Sequence, residues 1–323
     1  MNGKKHDLTD GLNFPIDMVY LWVNGKDPAW RLKRAALTGE EIHDSGLDCE
    51  GRYSDNDELR HSLRAVELYA PWIRKIFIVT DNQVPSWLDT DNPKIEIIDH
   101  TQILPPEALP TFNSTVIEHR LFRIPGLADH FLYSNDDMFF NRKVSPRDFF
   151  TENGQPIIRL NRRWFRKLWL RHREKSNSHP LDNYNRTIHK SALMVEREFG
   201  KYIGHKPHHK IEAYRKEDYE DTYNRFREDI EPVLSNHLRA DSDIQRTLYS
   251  FAPIAQKRAK VKYVTEKTSF RCHIDKPHYF QRLEKKKPML FCMNDSQYAT
   301  DLNRKMVKEY LERRFPVKSQ FEK

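Results

Sequence analysis

Two adjacent carboxylates follow an apolar, strand-like segment in the first half of the chain. Asp136 and Asp137 come directly after the run His130–Asn135 and before Met138–Phe140. Adjacent carboxylates at the end of a strand can hold Mg²⁺ or Mn²⁺, and such a cation grips a diphosphate. A solvated pair of acids in a turn is the alternative. The apolar residues on both sides make a plain surface turn a poor explanation, so both interpretations stay open.

Two arginines, Arg60 and Arg64, share one stripe of a predicted helix that begins near Asp57 and ends before Pro71. Guanidinium groups bind phosphate bidentately. An exposed amphipathic helix, with Asp57 and Glu67 as ion-pair partners, explains the same spacing. Taken alone, the pattern favours the exposed helix.

A histidine cluster lies at His205-Lys206-Pro207-His208-His209. Pro207 suits the first turn of a helix, which predicts His205 in a loop and His208 on that turn. Such a histidine can act as a general acid or base near neutral pH. A zinc site of His205, His208 and Glu212 has little support because no distant ligand set accompanies it. A surface cluster is the remaining interpretation in a chain with 15 histidines.

Further polar residues stand beside predicted elements near the end of the chain. Arg239 precedes an apolar helical run and could meet a phosphate, while Asp241 or Ser242 could cap that helix. Asn294 and Asp295 follow a strand-like segment, where an ordinary turn is the alternative.

The segment 161–175, NRRWFRKLWLRHREK, combines aromatic and basic residues at helical spacing. Trp164, Phe165, Leu168 and Trp169 share one face of the predicted helix, and arginines and lysines occupy the rest. The pattern is typical of a basic helix at a membrane interface, and it would also suit an anionic polymer. We favour packing of the aromatic face into the core beneath a basic surface, with membrane contact as the alternative.

The elements that must position these residues follow the order of an α/β fold. Four strand-like runs, at Ile16–Val23, Lys75–Thr80, Lys94–Ile98 and His130–Ser134, alternate with helical segments. Ligands of such sheets bind beyond the carboxyl ends of the strands. We expect an α/β nucleotide-sugar-binding core over 1–160, a mostly helical insertion over 161–270, and a strand and helix returning to the core over 271–323. These parts are expected to form one catalytic unit.

Composition limits the classes of partner. Charged residues make up 32% of the 323 residues and the net charge is +8, which suits an acidic partner such as a nucleotide-sugar or anionic lipid. The sequence carries no signature of nucleic-acid recognition, so none is expected. Three separated cysteines, Cys49, Cys272 and Cys292, indicate no disulfide framework. No apolar run approaches the about 20 residues of a membrane span. We expect a cytoplasmic protein, with the inner face of the cell membrane as a peripheral site.

Taken together and in order, these segments resemble the Stealth family of bacterial capsular and exopolysaccharide sugar-1-phosphate transferases, which is related to the animal lysosomal-enzyme N-acetylglucosamine-1-phosphotransferase. Four regions carry the resemblance: IDMVYLWVNGKDPAW at 16–30, the long stretch 57–140 ending in SNDDMFF, HKPHH with RADSDIQ, and FCMNDSQYATDLNRKMVKEYLERRFPVKSQFE at 291–322.

The resemblance implies a glycosyltransferase-A-like (Rossmann-like) mixed-sheet core with a helical insertion. It also implies a UDP-sugar donor, a carbohydrate or polysaccharide acceptor, Mg²⁺ or Mn²⁺, and release of UMP. A hexose- or N-acetylhexosamine-1-phosphate would be moved to a hydroxyl as a phosphodiester. A catalytically inactive polysaccharide-binding or assembly protein of a capsule locus is the alternative.

The resemblance also implies roles for individual residues. Catalysis would involve His208 as acid or base, Asp136, Asp137, and Arg239 as a phosphate ligand. The metal would be held by Asp137, Asn294 and Asp295. The residues expected to bind substrate are Asp17, Trp22, Asn24, Gly25, Arg60, Arg64, Asn113, Ser114, Glu118 and His205.

Overall fold

A computed structural model describes residues 12–39, 51, 53–174 and 181–323. Its strands are β1 Ile16–Leu21, β2 Ile76–Thr80, β3 Ile95–Asp99, β4 His130–Asn135, β5 Met138–Phe140, β6 Ile157–Asn161, β7 Lys206–Pro207, β8 Glu212–Arg215, β9 Lys260–Tyr263, β10 Ser269–His273 and β11 Leu290–Asn294. Its α-helices are α1 Pro28–Thr38, α2 Glu58–Tyr69, α3 Ser114–Glu118, α4 Arg166–Glu174, α5 Asn183–Phe199, α6 Lys216–Arg225, α7 Arg227–Ile230, α8 Leu248–Ala255, α9 His278–Lys286 and α10 Asp301–Arg314.

The main sheet has the strand order β3-β2-β1-β4-β8. Its first four strands are parallel, and β8 pairs antiparallel with β4. The chain leaves β1 to one side for β2 and later returns to the other side for β4, so the strand order reverses next to β1. The predicted α/β class with a mixed sheet is therefore confirmed, and a reversal of this kind opens a crevice at the carboxyl ends of the strands.

The side chains of β1 point alternately to the two faces of this sheet, and the core has one part on each face. Met18 and Tyr20 pack with α2 and the C-terminal elements, whereas Val19 and Leu21 pack with the helices of the 161–270 segment. Every residue of β1 is buried, as expected for a parallel strand covered on both faces.

Two three-stranded sheets complete the fold. One has the order β10-β11-β5, with β10 parallel to β11 and β5 antiparallel to it. The other has the order β7-β6-β9. Strand β5 follows β4 after only two residues, so the short loop Asp136-Asp137 joins the main sheet to the β11 sheet.

The second half of the chain differs in detail from the expectation. The segment 161–270 is largely helical, yet it supplies β8 to the main sheet, and β10 and α9 were not predicted. The three-part division of the chain stays a prediction. The expected C-terminal helix is α10, which begins at Asp301 and buries Val307, Tyr310 and Leu311.

Pro207 does not start a helix. It lies in β7, which pairs antiparallel with the end of β6, with Pro207 opposite Leu160. Cys49 lies outside the described residues, and Cys272 and Cys292 are free thiols. Within 12–39, 51, 53–174 and 181–323, no helix has the length and apolar character needed to cross a membrane.

Candidate active site

A cleft of ≈ 950 Å³ lies at the carboxyl ends of β1 and β4. These strands end side by side, with Leu21 paired to Asn135, and both residues line the cleft. Its volume falls within the about 300–1,000 Å³ common for ligand sites. The sheet reversal thus places the cleft where the sequence predicted a site.

One wall of the cleft is built from carboxylates. Glu58 begins α2, and Asp136 and Asp137 form the β4–β5 loop. Asp55, which precedes the helix, lies near them without lining the cleft. Burial, together with the nearby charges of Glu58, Asp137 and Asp55, raises the pKa of Asp136 well above its usual range. Burial is also the main cause that raises the pKa of Glu58 to about 8. Carboxylates that repel one another in this way gain stability from a cation between them.

The Asp137 carboxylate contacts neighbouring side chains through one of its two oxygens. Its Oδ2 accepts a hydrogen bond from the Cys292 thiol (Sγ to Oδ2, 3.0 Å) and lies 3.5 Å from Nε2 of His209. Its Oδ1 is buried without a hydrogen-bond partner. Ligand atoms of Asp137, His209 and Cys292 all lie within 4.8 Å of one another. The donor set and the unpaired oxygen fit a divalent cation.

The other two predicted metal ligands, Asn294 and Asp295, also line the cleft. Asp295 forms an ion pair with Arg304 (2.9 Å from Nε to Oδ2), so its charge is already balanced. The Asn294 side chain donates to the Asp295 carbonyl at 3.1 Å. Both residues thus line the cleft, but Asp295 does not belong to the group of close donor atoms formed by Asp137, His209 and Cys292.

The facing wall is cationic. Arg239 lines the cleft, and its Nη2 donates to Oγ of Ser114 at 2.7 Å. Asn113 does not line the cleft. It holds the loop that carries Arg239 instead, since its Nδ2 lies 3.0 Å from Oδ2 of Asp243 and 3.3 Å from the Leu238 carbonyl. Asn113 is therefore a positioning residue rather than the predicted contact to substrate.

A buried network extends this cationic wall beneath the cleft. Arg246 pairs with Glu212 and lies 3.4 Å from Oε1 of Glu118, with its guanidinium 4.0 Å from the centre of the Tyr133 ring. Burial alone would raise the pKa of Glu212, but Lys210 and Arg246 lower it to about 2. Glu118 lines the cleft as predicted, and it is also tied to Arg246 and to the Tyr133 hydroxyl (2.7 Å).

The histidine run contributes two residues to the cleft, His208 and His209, whereas His205 lies outside it. Burial and the nearby cations lower the pKa of His208 to about 3, so its ring is neutral at pH 7. Nδ1 of His208 lies 3.2 Å from Oγ of Ser269. His205 accepts a hydrogen bond from the Arg163 amide and contacts the Tyr263 hydroxyl, which corrects its predicted role in substrate binding.

The structure does not bring Arg60 and Arg64 to the cleft. Arg64 donates from Nε and Nη2 to the Glu322 carboxylate, at 2.8 and 2.9 Å, and from Nη1 to the Phe315 carbonyl. Arg60 lies 3.5 Å from the same carboxylate and stacks over Trp87. Their stripe of α2 faces the C-terminal segment, and it is Glu58, at the start of the helix, that reaches the cleft.

Three further residues of the first region, expected to bind substrate, lie away from the cleft, and a fourth lines it. Asp17 stands at the opposite end of β1, where Arg74 and the Ala128 amide bind its carboxylate. Asn24 does not line the cleft; its backbone amide and carbonyl groups form hydrogen bonds with the Gln83 side chain. Gly25 lies behind the cleft wall, where a Cβ would stand 2.5 Å from the Tyr53 backbone oxygen. Trp22 does line the cleft.

Several cleft residues were not predicted from the sequence. They are Glu58, His209, Arg246, Arg271, Cys292, and a cluster of three aromatic residues, Trp30, Tyr53 and Phe112. In that cluster the Trp30 ring lies 5.1 Å from each of the other two ring centres. The run of histidines could have indicated His209, but no local signal connects Cys292 with Asp137, 155 residues earlier.

Comparison with known families gives two matches in chain order. Residues 14–41 match Stealth protein CR1, conserved region 1, and residues 52–158 match Stealth protein CR2, conserved region 2. The third and fourth regions of the resemblance stay predictions.

Curated relatives extend the similarity along the chain. Exopolysaccharide phosphotransferase SCO6023 of Streptomyces coelicolor is 36% identical over 98% of this chain and 54% of its own length. Capsular polysaccharide phosphotransferase LcbA of Aeromonas hydrophila is 36% identical over 74% of this chain and 66% of its own. Exopolysaccharide phosphotransferase CpsY of Mycobacterium leprae is 34% identical over 97% of this chain and 58% of its own length. The chain thus spans about half to two thirds of the length of these relatives.

Solved structures with a similar course are glycosyltransferases. The galactosyltransferase LgtC, in complex with donor and acceptor sugar analogues, is 10% identical, with a TM-score of 0.44 over 94% of this chain and 96% of that one. The bifunctional glycosyltransferase WbbM is 8% identical, with a TM-score of 0.45 over 95% of this chain and 50% of that one. The two conserved regions and the full-length sequence similarity show that the chain belongs to the Stealth protein family.

Proposed function

We propose that this chain is a sugar-1-phosphate transferase of capsular or exopolysaccharide synthesis. It would move hexose- or N-acetylhexosamine-1-phosphate from a UDP-sugar to a hydroxyl of a carbohydrate acceptor, and UMP would leave. Its relatives are named exopolysaccharide and capsular polysaccharide phosphotransferases, which supports this class of reaction.

One observation carries the proposal: a single cleft has a carboxylate wall and a cationic wall. The Asp136-Asp137 loop and Glu58 form the first, and Arg239 belongs to the second. Arg271 also lines the cleft, as the strand partner of Cys292 beside Asp137. A diphosphate bridged by a divalent cation presents both kinds of charge, so it complements both walls at once. The Trp30–Tyr53–Phe112 cluster offers ring faces against which the uracil base of the donor would pack.

The metal ligands proposed are Asp137, Asn294 and Asp295, to which the structure adds His209 as a candidate. The unpaired Oδ1 of Asp137 and the repulsion among the neighbouring carboxylates fit Mg²⁺ or Mn²⁺. A bound cation would neutralise charge on the diphosphate and on the departing UMP.

The protein's own residues would position the reactants and handle one proton. The acceptor oxygen attacks the phosphorus that carries the sugar, the bond from that phosphorus to the bridging oxygen breaks, and the electron pair leaves with UMP. The bond between the sugar and its phosphate stays intact. Arg239 would hold the phosphate, and most of the catalysis would be positioning and charge stabilisation.

His208 is the proposed acceptor of the proton from the attacking hydroxyl. Its pKa of about 3 keeps the ring neutral and able to accept a proton, but makes it a weak base in the free protein. Binding of an anionic diphosphate beside it would raise that pKa, because the nearby cations that lower it would then be balanced.

The alternative is a non-catalytic polysaccharide-binding or assembly protein. A neutral or acidic polymer gains nothing from a cluster of carboxylates whose pKa values are raised by burial and, to a lesser degree, by one another's charge. The carboxylate wall therefore favours the enzyme. We also propose that the enzyme acts in the cytoplasm, at the inner face of the cell membrane.

The decisive test is release of UMP from a panel of UDP-sugars, with a carbohydrate acceptor and Mg²⁺ or Mn²⁺, and with ³¹P NMR to detect the phosphodiester. We expect UMP and phosphodiester in equal amounts, and neither in EDTA. Asp137→Asn should abolish turnover, whereas Asp129→Asn, on an exposed loop away from the cleft, is the matched control. A full panel with no UMP, or turnover that survives EDTA, would contradict the proposal.

A further inference from the structure

An exposed apolar patch lies on α4 and the turn before it. We call it the α4 patch: Trp164, Phe165, Leu168 and Trp169, with 69, 77, 68 and 44% of their surfaces exposed. Large apolar side chains this exposed are otherwise scattered over the described chain, but here four fall within six residues. The expected packing of this face into the core is wrong. Arg166 and Leu170 form the buried side of the helix instead.

Cations surround the α4 patch. Between residues 162 and 173 there are five arginines and one lysine and no acidic residue. Of these, Arg166 is buried and Lys167 pairs with Glu196, which leaves four arginines at the border. The Arg162 guanidinium lies 4.2 Å from the centre of the Trp164 ring, and Arg173 stacks over Trp169 at 5.6 Å. Arg171 lies 3.2 Å from Glu196, on the side of the helix that faces α5. The surface is therefore an apolar strip with a basic border.

We propose that the α4 patch inserts into the interface of an anionic lipid bilayer and holds the protein at the membrane. Tryptophan and phenylalanine side chains enter the boundary between headgroups and acyl chains, while arginines remain among anionic headgroups. The proposal deepens the proposed function, on which its location rests, by naming the surface that contacts the membrane.

The chemistry of the patch favours a bilayer over other occupants. An anionic polymer would satisfy the arginines but leave four large apolar side chains in water. A second copy in a two-fold dimer would set one basic border against another and add repulsion. An anionic bilayer offers negative charge at its surface and an apolar medium just beneath it.

The position of α4 links this surface to the cleft. Arg166, on the buried side of α4, donates from Nη2 to Oδ1 of Asn185 at 2.8 Å. Asn185 belongs to the first turns of α5, where Asn183, Tyr184 and Thr187 line the cleft. A protein anchored through α4 therefore keeps the rim of its cleft close to the membrane, which suits an acceptor that is itself held there.

The test is cosedimentation of the full chain with vesicles, without any donor. One set is phosphatidylcholine alone, and the other contains about 30 mol % phosphatidylglycerol. We expect binding to the anionic vesicles, weakened by salt, and a blue shift of tryptophan fluorescence. The double variant Phe165→Ala with Leu168→Ala should lower the partition coefficient at least about tenfold.

Matched variants test whether membrane binding depends on the α4 patch or on exposed apolar and basic side chains in general. Leu68→Ala with Val317→Ala removes exposed apolar side chains elsewhere and should bind as the wild type does. Arg162→Gln with Arg163→Gln should weaken binding about tenfold at low salt, whereas Arg123→Gln with Arg142→Gln should have a much smaller effect. Circular dichroism melts confirm that all four variants fold.

Equal vesicle binding by the wild type and by the Phe165→Ala, Leu168→Ala variant would overturn the proposal. So would a wild-type dimer that this variant converts to a monomer, since the patch would then be a contact between copies. Because no donor is present, absence of UMP release in the separate assay would end the proposed function and leave this result standing.

Discussion

Replacement of Glu58 by glutamine tests the carboxylate wall through stability rather than activity. The Glu58 side chain is 5% exposed, and both of its carboxylate oxygens accept hydrogen bonds from Asn56. Burial, with Asp55 nearby, raises its pKa from 4.5 to about 8. In the folded, metal-free protein this carboxyl therefore stays protonated at a pH where the unfolded chain has lost the proton.

The sign and size of the effect follow from proton linkage. A raised folded-state pKa means that the stability supplied by the protonated group is complete below pH 4.5 and is lost as the pH rises through about 8. Each pKa unit is worth about 1.4 kcal/mol, which gives an upper limit of about 5 kcal/mol. Glutamine carries no proton to lose, but it gives up one hydrogen bond to Asn56, a cost of about 1 kcal/mol.

Glu58→Gln should therefore stabilise the protein at pH 8, by up to about 4 kcal/mol or about 5 °C in Tm, and destabilise it slightly at pH 4.5. The assay is thermal or urea unfolding in EDTA across this pH range. Glu322→Gln is the control of opposite sign, because Arg64 lowers the pKa of Glu322 to about 2 against the effect of burial. If the pH dependence of Tm is the same for Glu58→Gln as for the wild type, the pKa of Glu58 is not raised in the folded protein and the reasoning fails.

Three further outcomes are expected. Arg64→Ala should lower the free energy of unfolding by about 3 kcal/mol, because the buried Glu322 carboxylate keeps only the more distant Arg60 as a cationic partner, while the KM for the donor stays unchanged. An altered KM with unchanged stability would show instead that Arg64 acts at the cleft. Gly25→Ala should cost about 1–3 kcal/mol of stability and raise the donor KM, since its Cβ would displace Tyr53; calorimetry with initial rates checks both. Asp137→Asn should weaken Mn²⁺ binding about 100-fold or more, measured by calorimetric titration, and affinity like that of the wild type would remove Asp137 from the metal site.

The location of the site was predictable because it depends on strand ends. Asp136 and Asp137 follow an apolar strand, and the carboxyl ends of parallel strands share one edge of a sheet. Trp22 and Asn135 reach the cleft for the same reason. Local pattern was enough here, since each residue is placed by the strand that directly precedes it.

The partners of Arg60 and Arg64 were not predictable in this way. Helical spacing shows that the two side chains share a stripe, but it does not show what the stripe faces. The partner is Glu322, 258 positions beyond Arg64. The contact between Asp137 and Cys292 likewise depends on the register of β5 against β11, which no local signal specifies.

For segment 161–175, the sequence predicted a helix with an apolar face but not the direction in which that face points. Its pattern gave the helix and its apolar face, yet the side that turns to the core depends on the neighbouring helix α5. Arg166 and Leu170 take the buried positions, although tryptophan and phenylalanine are far more apolar than arginine. A hydrophobic pattern indicates that a face needs a partner, and the partner can lie outside the chain.

The pairing of β5 with β11 also bears on how the protein comes to be active during synthesis. Met293 donates its amide hydrogen to the Asp137 carbonyl at 2.9 Å, so the loop with the central carboxylates is fastened by residues made some 150 positions later. A ribosome-bound chain that ends at residue 158 has both matched conserved regions but lacks this strand. Closing so long a loop is slow because its entropy must be lost before any contact forms. The Asp136-Asp137 loop of the nascent chain should thus lack this contact until β11 has left the ribosome.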